Sequence, residues 1–88
     1  ALLAGVAPHV RPGGFLLYAV CTLEREETYD VVEAFLKTHP DFSPVPLRSL
    51  GGPACIEAFI EDRHFFVAWP DRFPADGFFG VVFRRRAS

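Results

Sequence analysis

Between Phe15 and Val20 every residue is apolar or aromatic, and the next is a cysteine. A short unbroken run with aromatic and β-branched members predicts a strand buried on both faces, as in a parallel sheet. The expectation is an interior strand and not an edge. Ahead of it, Leu2, Leu3, Val6 and Val10 recur at helical spacing until Pro12-Gly13-Gly14 stops the helix and turns the chain. Behind it the period changes. From about Glu26, the residues Tyr29, Val32, Phe35 and Leu36 fall on one stripe with Glu33 and Lys37 outside it, which predicts an amphipathic helix. Thr22 is placed to cap that helix, and Glu24, Glu26 and Glu27 set negative charge at the positive end of its macrodipole. Pro40 ends it.

Residues 42–47 carry Pro44 and Pro46, which remove donors a central strand needs, so this stretch is expected to be extended or at a sheet edge. Gly51-Gly52-Pro53 reads as a turn, and residues 56–60 are too short to separate helix from strand. Two apolar runs follow, 64–69 and 78–83, rich in Phe and Val and joined by a long connection. They predict strands paired antiparallel. No internal repeat is present. The order is helix, strand, helix, edge segment, then two strands, which is half of an α/β sheet. A parallel interior strand needs more sheet beside it and helices on each face. The chain is therefore expected to be a fragment or terminal part of a larger α/β domain, and its first residue, Ala1, already lies within a helical pattern.

Composition narrows this only slightly. With 88 residues, 50% of them hydrophobic and 23% charged, the chain can bury a small core, about 60% of the surface it exposes when unfolded. The N-terminus lacks a basic region followed by a long apolar run, so the two cysteines, Cys21 and Cys55, are expected to be reduced in a cytoplasmic setting. No stretch approaches the roughly 20 apolar residues of a membrane span. A formal net charge of −2 argues against a generic nucleic-acid binder, although Arg84-Arg85-Arg86 makes a local basic end that reads most simply as a solvated terminus.

The candidate chemistry centres on Cys21. Ligands of open α/β sheets bind outside the carboxyl ends of strands, so a thiol at a strand's last residue faces a cleft; the competing reading is a small apolar residue that only packs. His9, His39 and His64 with the cysteines show no Cys-x-x-Cys and no close His pair, so no metal is expected. Asp76-Gly77 reads as a turn. Phe65, Phe66, Phe78, Phe79 and Phe83 form either a core or a base-stacking set.

Several separated segments then fall in one order: Arg11-Pro12-Gly13-Gly14, Tyr18-Ala19-Val20-Cys21-Thr22-Leu23, Glu26-Glu27-Thr28, His39-Pro40, Trp69-Pro70 and Ala75-Asp76-Gly77-Phe78-Phe79. This series resembles the RNA 5-methylcytosine methyltransferases of the Sun/Fmu/Nop2 type. The resemblance implies the C-terminal portion of a class I S-adenosylmethionine-dependent methyltransferase, a Rossmann-like α/β sheet ending in an antiparallel strand pair, with residues 1–88 a single piece that lacks the cofactor-binding half. It further implies Cys21 as the catalytic nucleophile and residues Asp76, Gly77 and Phe78 as lining the target-base pocket. The substrate would be RNA, ribosomal in preference to transfer RNA. S-adenosylmethionine would bind largely outside this chain, so the piece alone is expected to be inactive.

The chemistry explains why such an enzyme needs a thiol. Cytosine C5 is a poor nucleophile until a thiolate adds to C6. The thiolate is the attacking form, and a free cysteine with a pKa near 8.5 is mostly protonated at neutral pH. Amides at the start of the following helix would help ionise it, and Glu24, Glu26 and Glu27 would oppose this if they faced it. The sequence also departs from the family: Ala19-Val20 stand where Ser-Thr is usual before the cysteine, and Thr28 stands where Asn is usual. Cys55 matches no motif and reads as incidental.

Two further readings stay open. One is a related class I methyltransferase with another substrate, in which Cys21 is incidental. The other is a noncatalytic module that contacts RNA or forms a homo-oligomer to cover its sheet edge. An upstream Pro-Cys segment would favour cytosine chemistry, an Asn/Asp-Pro-Pro-Tyr type segment would favour amino-group methylation, and oligomeric state would isolate the last.

Overall fold

The computed structural model describes residues 2–51, 59–68 and 77–87. In chain order these form α1 (Leu2–Val6) running into a 3-10 turn (Ala7–His9), β1 (Phe15–Val20), a 3-10 turn (Arg25–Glu27), α2 (Tyr29–Thr38), β2 (Phe42–Pro44), a 3-10 turn (Leu47–Leu50), β3 (Ile60–Glu61), β4 (Phe65–Ala68) and β5 (Phe78–Arg85).

The last strand organises the sheet. β5 pairs with β1 along one edge, from Phe15 opposite Arg84 to Val20 opposite Phe79. Its other edge is shared: β4 takes the first half, Phe65 opposite Val81 to Ala68 opposite Phe78, and β2 the second, Phe42 opposite Arg85 to Pro44 opposite Phe83. β3 extends β4. All these pairs are antiparallel. The antiparallel pairing of β4 with β5 and the extended, proline-limited β2 match the sequence pattern. At β2 the ladder continues past its prolines through the Val45 amide, which donates to the Val82 carbonyl at 2.8 Å.

β1 departs from expectation. It is antiparallel, it stands at the end of the strand order, and it is buried on one face only. Leu16 is buried and Tyr18 and Val20 are half-buried, whereas Phe15 and Leu17 are 58% and 66% exposed. An unbroken apolar run hides the period of two, because both faces carry the same residue class. Both described α-helices lie on one face of the sheet.

The core lies on that face. Phe79, Val81 and Phe83 of β5 are fully buried and join Leu16, Val67, Phe42, Val32 and Phe35 in one cluster, with Leu3 and Ala7 from the N-terminal helix. The buried pair at the start is thus Leu3 and Ala7, one helical turn apart, while Val6 stays 44% exposed. Aromatic contacts set α2 on the sheet. Tyr29 meets Phe79 edge-on at 5.2 Å between ring centroids, and Phe35 meets Phe83 at 5.0 Å.

α2 begins later than expected. Its first residue is Tyr29, after a 3-10 turn that contains Glu26 and Glu27. Thr22 does not cap it: the Thr22 hydroxyl accepts from the Glu24 amide at 3.2 Å, a local turn. Local side-chain bonding to nearby amides competes with helix formation, so a threonine before three glutamates supports either outcome. The end is as expected, with His39 closing the helix before Pro40.

Candidate active site at the end of the sheet

Strand direction decides which residues gather. β1 ends where β5 begins, so the pair Val20 and Phe79 is followed on one strand by Cys21 and preceded on the other by Phe78. Cys21 is a free, exposed thiol at this end. Ala68, the last residue of β4, stands opposite Phe78. The structure thus brings together Cys21, Gly77 and Phe78, three of the four residues singled out by sequence. Asp76, the fourth, lies outside the described residues, as do Trp69, Pro70 and Cys55.

A close contact locks the two sides of this end. Gly77 has φ of +115°, and a Cβ there would fall 2.7 Å from Leu23 Cγ, 2.8 Å from Leu23 Cδ1 and 3.4 Å from the Ala68 carbonyl oxygen. Leu23, two residues after Cys21, therefore sits against a bare glycine backbone, and any side chain at position 77 would strain both the backbone and this contact. Phe78 packs its ring edge-on against Phe66, 5.9 Å between centroids, on the face away from α2, and remains 37% exposed. It offers a half-open aromatic surface next to the thiol's strand end.

The segment between Cys21 and α2 is held by its own bonds. Thr28 is fully buried, and its hydroxyl donates to the Glu24 carbonyl at 2.9 Å. The Glu27 amide donates to the same carbonyl at 3.0 Å, and the Thr28 amide to that of Arg25 at 3.2 Å. Arg25 Nε pairs with Asp30 Oδ1 at 3.1 Å. Tyr18 reaches across from β1, its hydroxyl donating to the Glu27 carbonyl at 2.6 Å. Burial, and then the Glu27 carboxylate, raise the Tyr18 pKa above its ordinary value. Sequence reasoning singled out neither Tyr18 nor Leu23 for a part in the site. A tyrosine inside an apolar strand and a leucine after a cysteine carry no signal of what lies across from them.

The other candidates resolve into structure. The His39 ring stacks on Phe35 at 4.5 Å, and its Nδ1 lies 2.9 Å from Thr38 Oγ1, so it packs the helix end. Among the described residues there is no group of three or more His, Cys, Asp or Glu that could hold a metal ion, and no helix long and apolar enough to cross a membrane. The arginines stand at the opposite end of β5 from Cys21. Arg85 is not a loose terminus: its Nε pairs with Asp41 at 2.9 Å, its guanidinium lies 5.8 Å from the Phe42 ring centre, and its backbone amide donates to Gly14. Arg84 stays exposed.

The chain is similar to known proteins along most of its length. A family model described as 16S rRNA methyltransferase RsmB/F matches residues 1–84. The chain is 35% identical over 86 residues to a probable ribosomal RNA small subunit methyltransferase B of Bacillus subtilis (strain 168), covering 98% of this chain and 19% of that protein. It is 49% identical over 47 residues to ribosomal RNA small subunit methyltransferase B of Thermus thermophilus, covering 53% of this chain and 12% of that one. Among solved structures, the crystal structure of PH0851 superposes with a TM-score of 0.72 at 38% identity, covering 96% of this chain and 18% of that one. The chain thus spans about a fifth of the length of the curated relatives it matches most fully. On a match that runs through nearly all of its residues, the chain belongs to the 16S rRNA methyltransferase RsmB/F family.

Proposed function

We propose that this chain is the C-terminal part of the catalytic domain of an S-adenosylmethionine-dependent methyltransferase that acts on C5 of a cytosine in small-subunit ribosomal RNA, with Cys21 as nucleophile. The observation that carries this reading is the exposed Cys21 thiol at the end of β1, with Gly77 and Phe78 beside it across the β1–β5 ladder. β1 has no second neighbour among the described residues, and Phe15 and Leu17 lie open on the face away from α2. The rest of a class I, Rossmann-like sheet and its second helical layer would attach there. Ribosomal RNA as substrate comes from the names of the relatives, and a thiol nucleophile suits a reducing, cytoplasmic setting.

The cofactor would supply the electrophilic methyl group. On the resemblance, the glycine-rich loop and the acidic residue that would hold it belong to the part of the domain before β1. Its partners are expected outside residues 1–88, and the piece alone is expected to transfer no methyl group. What the chain contributes is the activation of the base. The Cys21 thiolate forms a bond to cytosine C6, and the C5–C6 π pair moves onto C5, which becomes enamine-like and able to accept a methyl group. Once C5 carries the methyl group, with the S–CH3 bond broken to leave a neutral thioether, removal of the C5 proton by a base restores the double bond and expels the thiolate. Phe78 would present its open ring to the base plane, in the manner of aromatic stacking platforms.

The test is methyl transfer by the full-length enzyme with Cys21→Ser and Cys21→Ala. Both are expected to reduce product to background while S-adenosylmethionine binding, measured by calorimetry, is retained. RNA carrying 5-fluorocytosine, which has no C5 proton to lose, is expected to trap the wild-type protein as a covalent adduct. Activity retained in the serine variant would reject Cys21 as the nucleophile.

A further inference from the structure

The segment that follows Cys21 is compact within itself, but its attachment to β1 beyond the peptide chain is narrow. Glu24, Arg25, Glu27 and Thr28 bond one another through the Glu24 and Arg25 carbonyls. The hydrogen bond that joins this unit to β1 through a side chain comes from Tyr18, whose hydroxyl donates to the Glu27 carbonyl at 2.6 Å. Its base is fixed, because Tyr18 faces the core on the same side of β1 as Leu16 and Val20 and packs against the central cluster. Cys21 lies between the two ends of this tether, three residues after the donor and six before the acceptor. On the far side, the Leu23 side chain rests on Gly77.

We propose that Tyr18 is a positioning residue for Cys21. Its hydroxyl holds residues 21–28 to β1, and with Leu23 seated on Gly77 it fixes where the thiol stands relative to Phe78. The inference rests on the reading of Cys21 as nucleophile and adds a residue that does not touch the base. Without the tether the turn keeps its internal bonds, the seat of Leu23 on Gly77 and the burial of Thr28, but loses the hydrogen bond that fixes its distance from β1. The thiol then loses its fixed approach to C6. Displacements of about 1 Å at a reacting atom cost up to about 10²-fold in rate.

The experiment uses the full-length enzyme with Tyr18→Phe, which keeps the ring in the core and removes only the donor, beside Cys21→Ser. Steady-state methyl transfer, the thermal midpoint and the rate of covalent adduct formation with 5-fluorocytosine RNA are measured for each. Tyr18→Phe is expected to lower kcat and the adduct rate together, by about 10-fold to 100-fold, with KM for RNA and for S-adenosylmethionine within about twofold of wild type. An unchanged adduct rate, or a rise in KM with kcat preserved, would overturn the positioning role while leaving an inactive Cys21→Ser to support the nucleophile. An active Cys21→Ser would overturn both. Leu23→Ala provides a second probe of the same geometry, acting from the Gly77 side, and is expected to slow adduct formation in the same direction.

Discussion

Arg63 holds its backbone at φ of +67°, beside Asp62 at +50°, in the turn between β3 and β4. The left-handed region costs a residue with a side chain about 1–2 kcal/mol, and aspartate tolerates it better than arginine. The Arg63 carbonyl earns its place by accepting the Leu47 amide at 2.8 Å, a bond that any residue could make. Arg63→Gly is therefore expected to stabilise the fold by about 0.5–1 kcal/mol, the backbone relief less the entropy glycine loses, read as a rise in urea midpoint at constant slope. Gly77 is the reverse case, because positive φ and the Leu23 side chain both exclude a Cβ there. At this scale the sequence was informative where chemistry is local. A cysteine at the end of an apolar run stands out, and so does Gly77 beside Phe78. Tyr18 and Leu23 were silent, since their roles depend on the Glu27 carbonyl and on Gly77, and only the folded chain brings these near.

α2 and its contacts carry the element-scale argument. The stripe of Tyr29, Val32, Phe35 and Leu36 reads directly from the sequence and packs as read, because a 3.6-residue period with polar residues opposite has one stable solution against a sheet. Phe35 sits at its centre, against Phe42 at 5.2 Å and Phe83 at 5.0 Å. Phe35→Ala is expected to cost about 3–5 kcal/mol, because it leaves a cavity between three elements, and guanidinium unfolding monitored by circular dichroism would show it. β1 was less legible. Its six apolar residues support burial on two faces or on one, and the deciding fact, that α1 and α2 both lie on the Leu16 side, is tertiary. The start of α2 was misplaced because the glutamates suit a first helical turn, yet they fall in a 3-10 turn of residues 25–27 whose carbonyls accept local bonds, and the helix starts at Tyr29.

Across the whole molecule, the two tyrosines tie stability to alkaline pH. Burial, followed by Glu61 and Asp62, raises the Tyr29 pKa above 10.0 despite the opposing effect of Arg25; burial and Glu27 raise that of Tyr18. The folded state thus holds phenolic protons that the unfolded chain releases near pH 10. This contribution is complete below pH 10 and is lost as pH rises through the higher folded values. The urea midpoint is expected to fall above pH 10, and Tyr29→Phe to flatten that fall. A midpoint independent of pH between 9 and 11 would contradict it.

The central position of β5 also sets the order in which the molecule can take shape. β1 and β2 pair only with β5 among the described strands, and Phe15 finds its partner Arg84 almost a full chain length away. A nascent chain that has emerged only as far as β4 holds just the two-residue ladder of β3 with β4, and its apolar strands wait unpaired. Such distant pairings pay loop-closure entropy before they are rewarded, which makes them slow. The pairing that sets Phe78 beside the end of β1, and so beside Cys21, therefore forms only after β5 is available.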